Sequence, residues 1–106
     1  MAAFACAAAS SDVVTASLHC SLNYSKAEPC EMSDRVDANG THNMQFVFGK
    51  HRVAFTGKSQ TGWWSGQLDG QTAMGRELNR GHAIYSTLDL ATTFEWWSDG
   101  SEHGNY

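Results

Sequence analysis

The chain has a single proline, and no apolar run in it approaches the roughly 20 residues that a membrane-spanning helix needs. A helical membrane span is thereby excluded. Positive charge is also scarce, with 7 Lys and Arg against 11 Asp and Glu. Proteins that live on phosphate contacts carry a basic excess, so nucleic acid is not an expected partner. Acid is missing locally: residues 38–68 contain none, while Lys50, His51, Arg52 and Lys58 all fall there. That stretch reads as a solvated hairpin edge guarded by positive charge.

Several chemical signatures are lacking too. Cys20 and Cys30 do not have the C-x-x-C spacing of a zinc or redox site. The histidines at 19, 42, 51, 82 and 103 never stand two or four residues apart, so no metal site is expected. Gly57-Lys58-Ser59 has Arg52 where a phosphate loop needs its first glycine. Gly62-Trp63-Trp64-Ser65-Gly66 does not match a nucleophile elbow, because one residue too many separates Gly62 from Ser65. His19 adjoins Cys20, but neighbours on a strand point to opposite faces, so adjacency argues against a catalytic pair. No catalytic residue and no cofactor is assigned.

What the chain does have is ten glycines among many Thr, Ser and aromatic residues. Turn signals recur at Asn39-Gly40, Gly49-Lys50, Asp69-Gly70, Arg80-Gly81 and Asp99-Gly100. Between them lie runs with strand chemistry. Val13 to Cys20 alternates loosely, and Met44, Phe46 and Phe48 share one face, as do Val53 and Phe55. The expected fold is all-β and mainly antiparallel: a small meander, sandwich or barrel with short glycine turns. Strands are expected over 43–48, 52–56, 62–68, 71–78 and 82–88.

The sharpest local expectation is a hairpin about Asp69-Gly70. A two-residue loop sets Leu68 opposite Gln71, Gly66 opposite Ala73, Trp64 opposite Gly75, Ser65 opposite Met74 and Trp63 opposite Arg76. Both faces then carry apolar residues, and a bulge at a glycine would be a remedy. From His82 onward, period-two patterning places Ile84, Leu88, Leu90, Phe94 and Trp96 on one face, with Tyr85 and Trp97 on the other. A helix competes, because Ser86 with Asp89 makes a capping box, but the threonines and paired tryptophans favour continued strand through 91–97, with Ile84, Leu88 and Phe94 buried.

Residues 1–11, MAAFACAAASS, end in small residues of the kind that precede export cleavage, although a charged start is missing. They read as an export-signal remnant or a disordered N-terminus. Cys6 would belong to that segment, or serve as a lipoprotein acceptor. The remainder divides into a single β domain over 12–98 and a flexible tail over 99–106. Cys20 and Cys30 are left to pair, closing a ten-residue loop that stabilises the fold by roughly 2–3 kcal/mol. Together these point to a periplasmic or secreted protein. Asn23-Tyr24-Ser25 and Asn39-Gly40-Thr41 are glycosylation triplets only in a eukaryotic secretory pathway.

Trp63-Trp64 and Trp96-Trp97 each put, if extended, one indole on each face of a sheet. An outward indole is an amphipathic platform for a sugar or a protein surface. The expected function is therefore a non-catalytic extracytoplasmic binding module for a carbohydrate or protein surface, with Trp63, Trp97, Tyr85 and Arg76 as its contacts. The alternatives are an exported enzyme inhibitor acting through the basic turn Gly49-Lys50-His51-Arg52, or a small enzyme whose site the sequence does not reveal.

Overall fold

The computed structural model describes residues 13–79 and 81–98, which form an all-antiparallel, closed eight-stranded barrel. The strands are β1 (Val13–Leu22), β2 (Glu28–Val36), β3 (His42–Phe48), β4 (His51–Gln60), β5 (Trp63–Leu68), β6 (Gln71–Asn79), β7 (His82–Thr87) and β8 (Thr93–Ser98). Each pairs with its neighbours in sequence, and β8 closes the ring on β1 through Leu18↔Ser98, Cys20↔Trp96 and Leu22↔Phe94. The expectations for residues 1–11, 99–106 and Cys6 lie outside the described residues, as does the Asp99-Gly100 turn.

Local chemistry explains the turns. Asp69 and Gly70 both have positive φ, 50° and 84°, the requirement of a type I′ hairpin whose twist matches its strands. The five cross-strand pairs expected around this loop are all present. Thr61-Gly62 makes a second loop of the same kind between β4 and β5, one that a threonine in place of Asn or Asp hides in the sequence. Gly49, at φ 56°, opens the two-residue β3–β4 loop.

Three expectations need correction. Residues 28–36 lack a visible strand pattern, yet they form β2, with Cys30, Met32 and Asp34 spaced two apart and set opposite Leu18, Ala16 and Val14. Charged residues and Pro29 mask its alternation. The long period-two run after His82 is in fact two strands. Residues 88–92 form a turn: Leu90 sits at φ 63°, and Asp89 accepts from the Thr87 hydroxyl at 2.7 Å and the Ala91 amide at 3.0 Å. The turn shifts the phase, so Tyr85 and Phe94 both point inward and pair, whereas Ile84 points outward and Leu88 is 61% exposed. The basic stretch guards no edge, because β4 is paired on both sides and a closed barrel has none.

An eight-stranded barrel is only just wide enough for its own inward side chains. The core includes Phe46, Phe48, Val53, Phe55, Trp64, Leu68, Tyr85 and Phe94 with the Cys20–Cys30 disulfide, whose Cα atoms stand 5.6 Å apart. Inward glycines make this possible without a bulge in the β5–β6 hairpin; the register shift occurs later, between Glu77 and Asn79. A Cβ on Gly75 would stand 2.3 Å from the Tyr85 ring, and one on Gly66 would stand 2.0 Å from the Thr56 carbonyl oxygen. The Tyr85 ring thus lies directly over Gly75, and at Gly66 the backbones of β4 and β5 come too close for a side chain between them.

Two tests follow from this packing. Gly75→Ala should destabilise the protein by about 1–3 kcal/mol in denaturant unfolding, the range for overpacking a filled core; a neutral result would show that Tyr85 can move aside. The Ala91 amide and the Thr87 hydroxyl hold the Asp89 carboxyl below its usual value. Its folded pKa lies under the unfolded one, so its contribution is present above the unfolded value and is lost as pH falls through the folded one. In an NMR titration the Asp89 midpoint should be lower than in an unfolded peptide of the same sequence; an equal midpoint would remove the carboxylate from the turn.

Candidate functional site

Barrel closure turns strand alternation into an inside and an outside, and the two tryptophans of β5 separate accordingly. Trp64 is 6% exposed, with its ring against Phe55, Tyr85 and His42. Trp63 is 51% exposed on the outer wall. Across the hairpin the Arg76 guanidinium lies over the Trp63 ring, with Cζ 5.4 Å from the centroid. Such a contact contributes about 0.5–1 kcal/mol at an exposed site and restrains the indole.

Trp63 stands between two concavities. One of about 440 Å³ is lined by Lys58, Ser59, Gln60, Thr61, Trp63, Trp64, Ser65 and Met74. The other, of about 140 Å³, is lined by Trp63, Met74, Gly75, Arg76, Ile84 and Ser86. The registers explain the arrangement: Lys58↔Ser65↔Met74 and Gln60↔Trp63↔Arg76 form adjacent outward rows across β4, β5 and β6. An exposed indole therefore has the Ser59, Thr61 and Ser65 hydroxyls, the Gln60 amide and the Lys58 ammonium beside it on one side and Ile84 on the other, with Met74 lining both concavities.

The other expected contacts do not join this face. Tyr85 is fully buried inside the barrel, where its phenol oxygen accepts from Trp96 Nε1 at 3.2 Å. Burial raises the Tyr85 pKa well above that of a free phenol. The Trp96 hydrogen bond works against that rise, and the Glu77 and Asp34 carboxylates add to it. Tyr85 is therefore a core hydrogen-bonding group, misplaced by the phase shift at 88–92. Trp97 is on the outer wall but only partly exposed, stacked on His82 with ring centroids 4.7 Å apart. His82 in turn bonds Glu95, Nε2 to Oε2, at 2.8 Å. Trp63 and Trp97 sit on β5 and β8, three interstrand steps or roughly 14 Å apart along a curved wall, so they make no common flat platform.

The interior offers a second chemical cluster. One end of the barrel is apolar, filled by Phe46, Phe48, Val53, Leu68 and Phe94. Toward the other end, His42 Nδ1 and Asp34 Oδ2 are 2.7 Å apart, while Asp34 Oδ1 and Trp64 Nε1 are buried without a hydrogen-bond partner. A histidine–carboxylate pair alone does no chemistry without a nucleophile or a metal. Among the described residues no group of three or more His, Cys, Asp and Glu is placed to hold a metal ion. The basic turn Gly49-Lys50 is a tight, exposed two-residue loop, with the His51 ring against Phe48 at 5.3 Å and Arg52 reaching back to Gln45.

Comparisons with family models, curated proteins and solved structures find no match.

The division between inner and outer tryptophans predicts opposite mutant behaviour. Trp63→Ala should leave the melting temperature nearly unchanged, whereas Trp64→Ala should cost about 3–5 kcal/mol, the range for deleting a large core aromatic. Acrylamide quenching should reach Trp63 and spare Trp64. A large stability loss in Trp63→Ala would make that residue structural.

Proposed function

We propose that this protein is a non-catalytic, extracytoplasmic binding module that takes a carbohydrate on the outer-wall face around Trp63. The observation that carries the reading is the half-exposed indole, restrained by Arg76 and bordered by the concavity of Lys58, Ser59, Gln60, Thr61 and Ser65. Sugars present a C–H face that stacks on an indole, and hydroxyls that both donate and accept hydrogen bonds. Ser, Thr and Gln side chains beside an aromatic ring match both properties at once. The extracytoplasmic location draws support from the Cys20–Cys30 disulfide, since such bonds persist in oxidising compartments, and from the signal-like start of the sequence.

A protein surface is the second reading, favoured by the small, mainly apolar concavity on the other side of Trp63, where Ile84 joins Met74. Inhibition through the turn at Gly49-Lys50 has less support, because that loop projects only two residues beyond its strands.

The deciding experiment is calorimetric titration with a panel of soluble neutral oligosaccharides, using wild type and Trp63→Ala side by side. Saturable binding by at least one of them, weakened about tenfold or more in Trp63→Ala at unchanged melting temperature, is the expected result. Absence of binding across the panel would shift the reading to a protein partner, and undiminished binding in Trp63→Ala would place the sugar elsewhere.

A further inference from the structure

Two to four strands round the barrel from Trp63, the outer wall of β1, β2 and β3 forms another concavity of about 440 Å³, lined by Val13, Ser33, Arg35, Asn43 and Gln45. Register builds it: Ser33 stands opposite Gln45, and Arg35 is opposite both Asn43 and Val13. Four of the five side chains are polar, and they belong to outward positions on adjacent strands.

Their hydrogen bonding leaves specific groups available. The Asn43 amide nitrogen donates to the Arg35 carbonyl at 3.3 Å and the Thr41 carbonyl at 3.5 Å, which leaves its carbonyl oxygen as an acceptor. Gln45 is held the other way round. Its carbonyl oxygen accepts from Arg52 Nη1 at 3.5 Å, which leaves its amide nitrogen as a donor. The ion pairs of the described residues are His42–Asp34 and His82–Glu95, so the exposed Arg35 guanidinium has no carboxylate partner among them. Glu31, four residues from Arg35 along the same face of β2, accepts instead from the Ser17 hydroxyl at 3.2 Å.

We propose that this concavity is a subsite for an anionic sugar unit, its acid group paired with Arg35 and its ring hydroxyls bonded to Ser33, Asn43 and Gln45. A guanidinium offers a planar fork that matches a carboxylate or sulfate oxygen pair. A bare inorganic anion uses that fork but leaves the neighbouring amide acceptor without a donor. Hydroxyl groups supply both donors and acceptors, which is what an Asn carbonyl and a Gln amide set side by side require. The volume falls within the range of small-molecule sites and exceeds what one phosphate or sulfate fills. The site stands apart from Trp63, so it does not depend on the proposed sugar face there.

The test is an NMR titration of the Asn43 and Gln45 side-chain amides with glucuronate, using glucose and inorganic sulfate as matched arms. It is run on wild type, Arg35→Gln and Trp63→Ala. Glucuronate should shift both amides saturably, with glucose and sulfate about tenfold weaker or more. Arg35→Gln should lose the glucuronate response while keeping its circular dichroism spectrum and melting temperature, and Trp63→Ala should respond as wild type. Sulfate binding as tightly as glucuronate would reduce the site to a simple anion contact and overturn the sugar assignment. Equal binding of glucose, an unchanged response in Arg35→Gln, or no saturable shift at all would overturn the proposal.

Discussion

Closing eight short strands into a ring leaves an interior barely wider than the side chains that must enter it, and most features of this protein follow from that limit. Large rings can enter only where a neighbouring strand carries no side chain, so Tyr85 lies over its cross-strand partner Gly75, and β4 and β5 approach closely at the paired Gly57 and Gly66. Phe46, Phe48 and Phe94 then pack ring against ring at one end, with centroids 4.6–5.9 Å apart. The disulfide joins the same layer, tying β1 to β2 from inside rather than across a surface loop.

The same closure decides what is left outside. With no free sheet edge, main-chain pairing is unavailable as a recognition mode, and side chains on the wall are what a partner meets. Short two-residue turns keep most of the hairpins from projecting. The wall therefore carries the chemistry: an indole with its guanidinium on β5 and β6, and an arginine with two oriented amides on β2 and β3. Curvature separates these patches and prevents outward aromatics on distant strands from acting together, as Trp63 and Trp97 illustrate.

Some of this was legible in the residues. Asp69-Gly70 admits few loop geometries, because its φ values force a type I′ turn; the β5–β6 register and the Trp63–Arg76 contact follow directly. Cys20 and Cys30 had only each other once Cys6 was set aside. The β7–β8 turn was hidden, since Leu88-Asp89-Leu90-Ala91-Thr92 contains no glycine, proline or asparagine and reverses through the Asp89 side chain. One shift of phase there sends Tyr85 inward and Ile84 outward, and with them a quarter of the expected contacts.

The strand class, the Gly49-Lys50 and Asp69-Gly70 hairpins, the disulfide pair and the opposite facing of Trp63 and Trp64 could be read from the residues alone, because each depends on a few adjacent residues or on strict alternation. Which indole of the pair is buried, which glycines have to be glycine, and the place of β2 in the sheet came from the assembled barrel. Those outcomes depend on residues distant in sequence that stand on neighbouring strands. Gly75 is confined by Tyr85, ten residues away on the next strand, and β2 with its charges and proline is held by pairing to β1 and β3 rather than by any preference of its own.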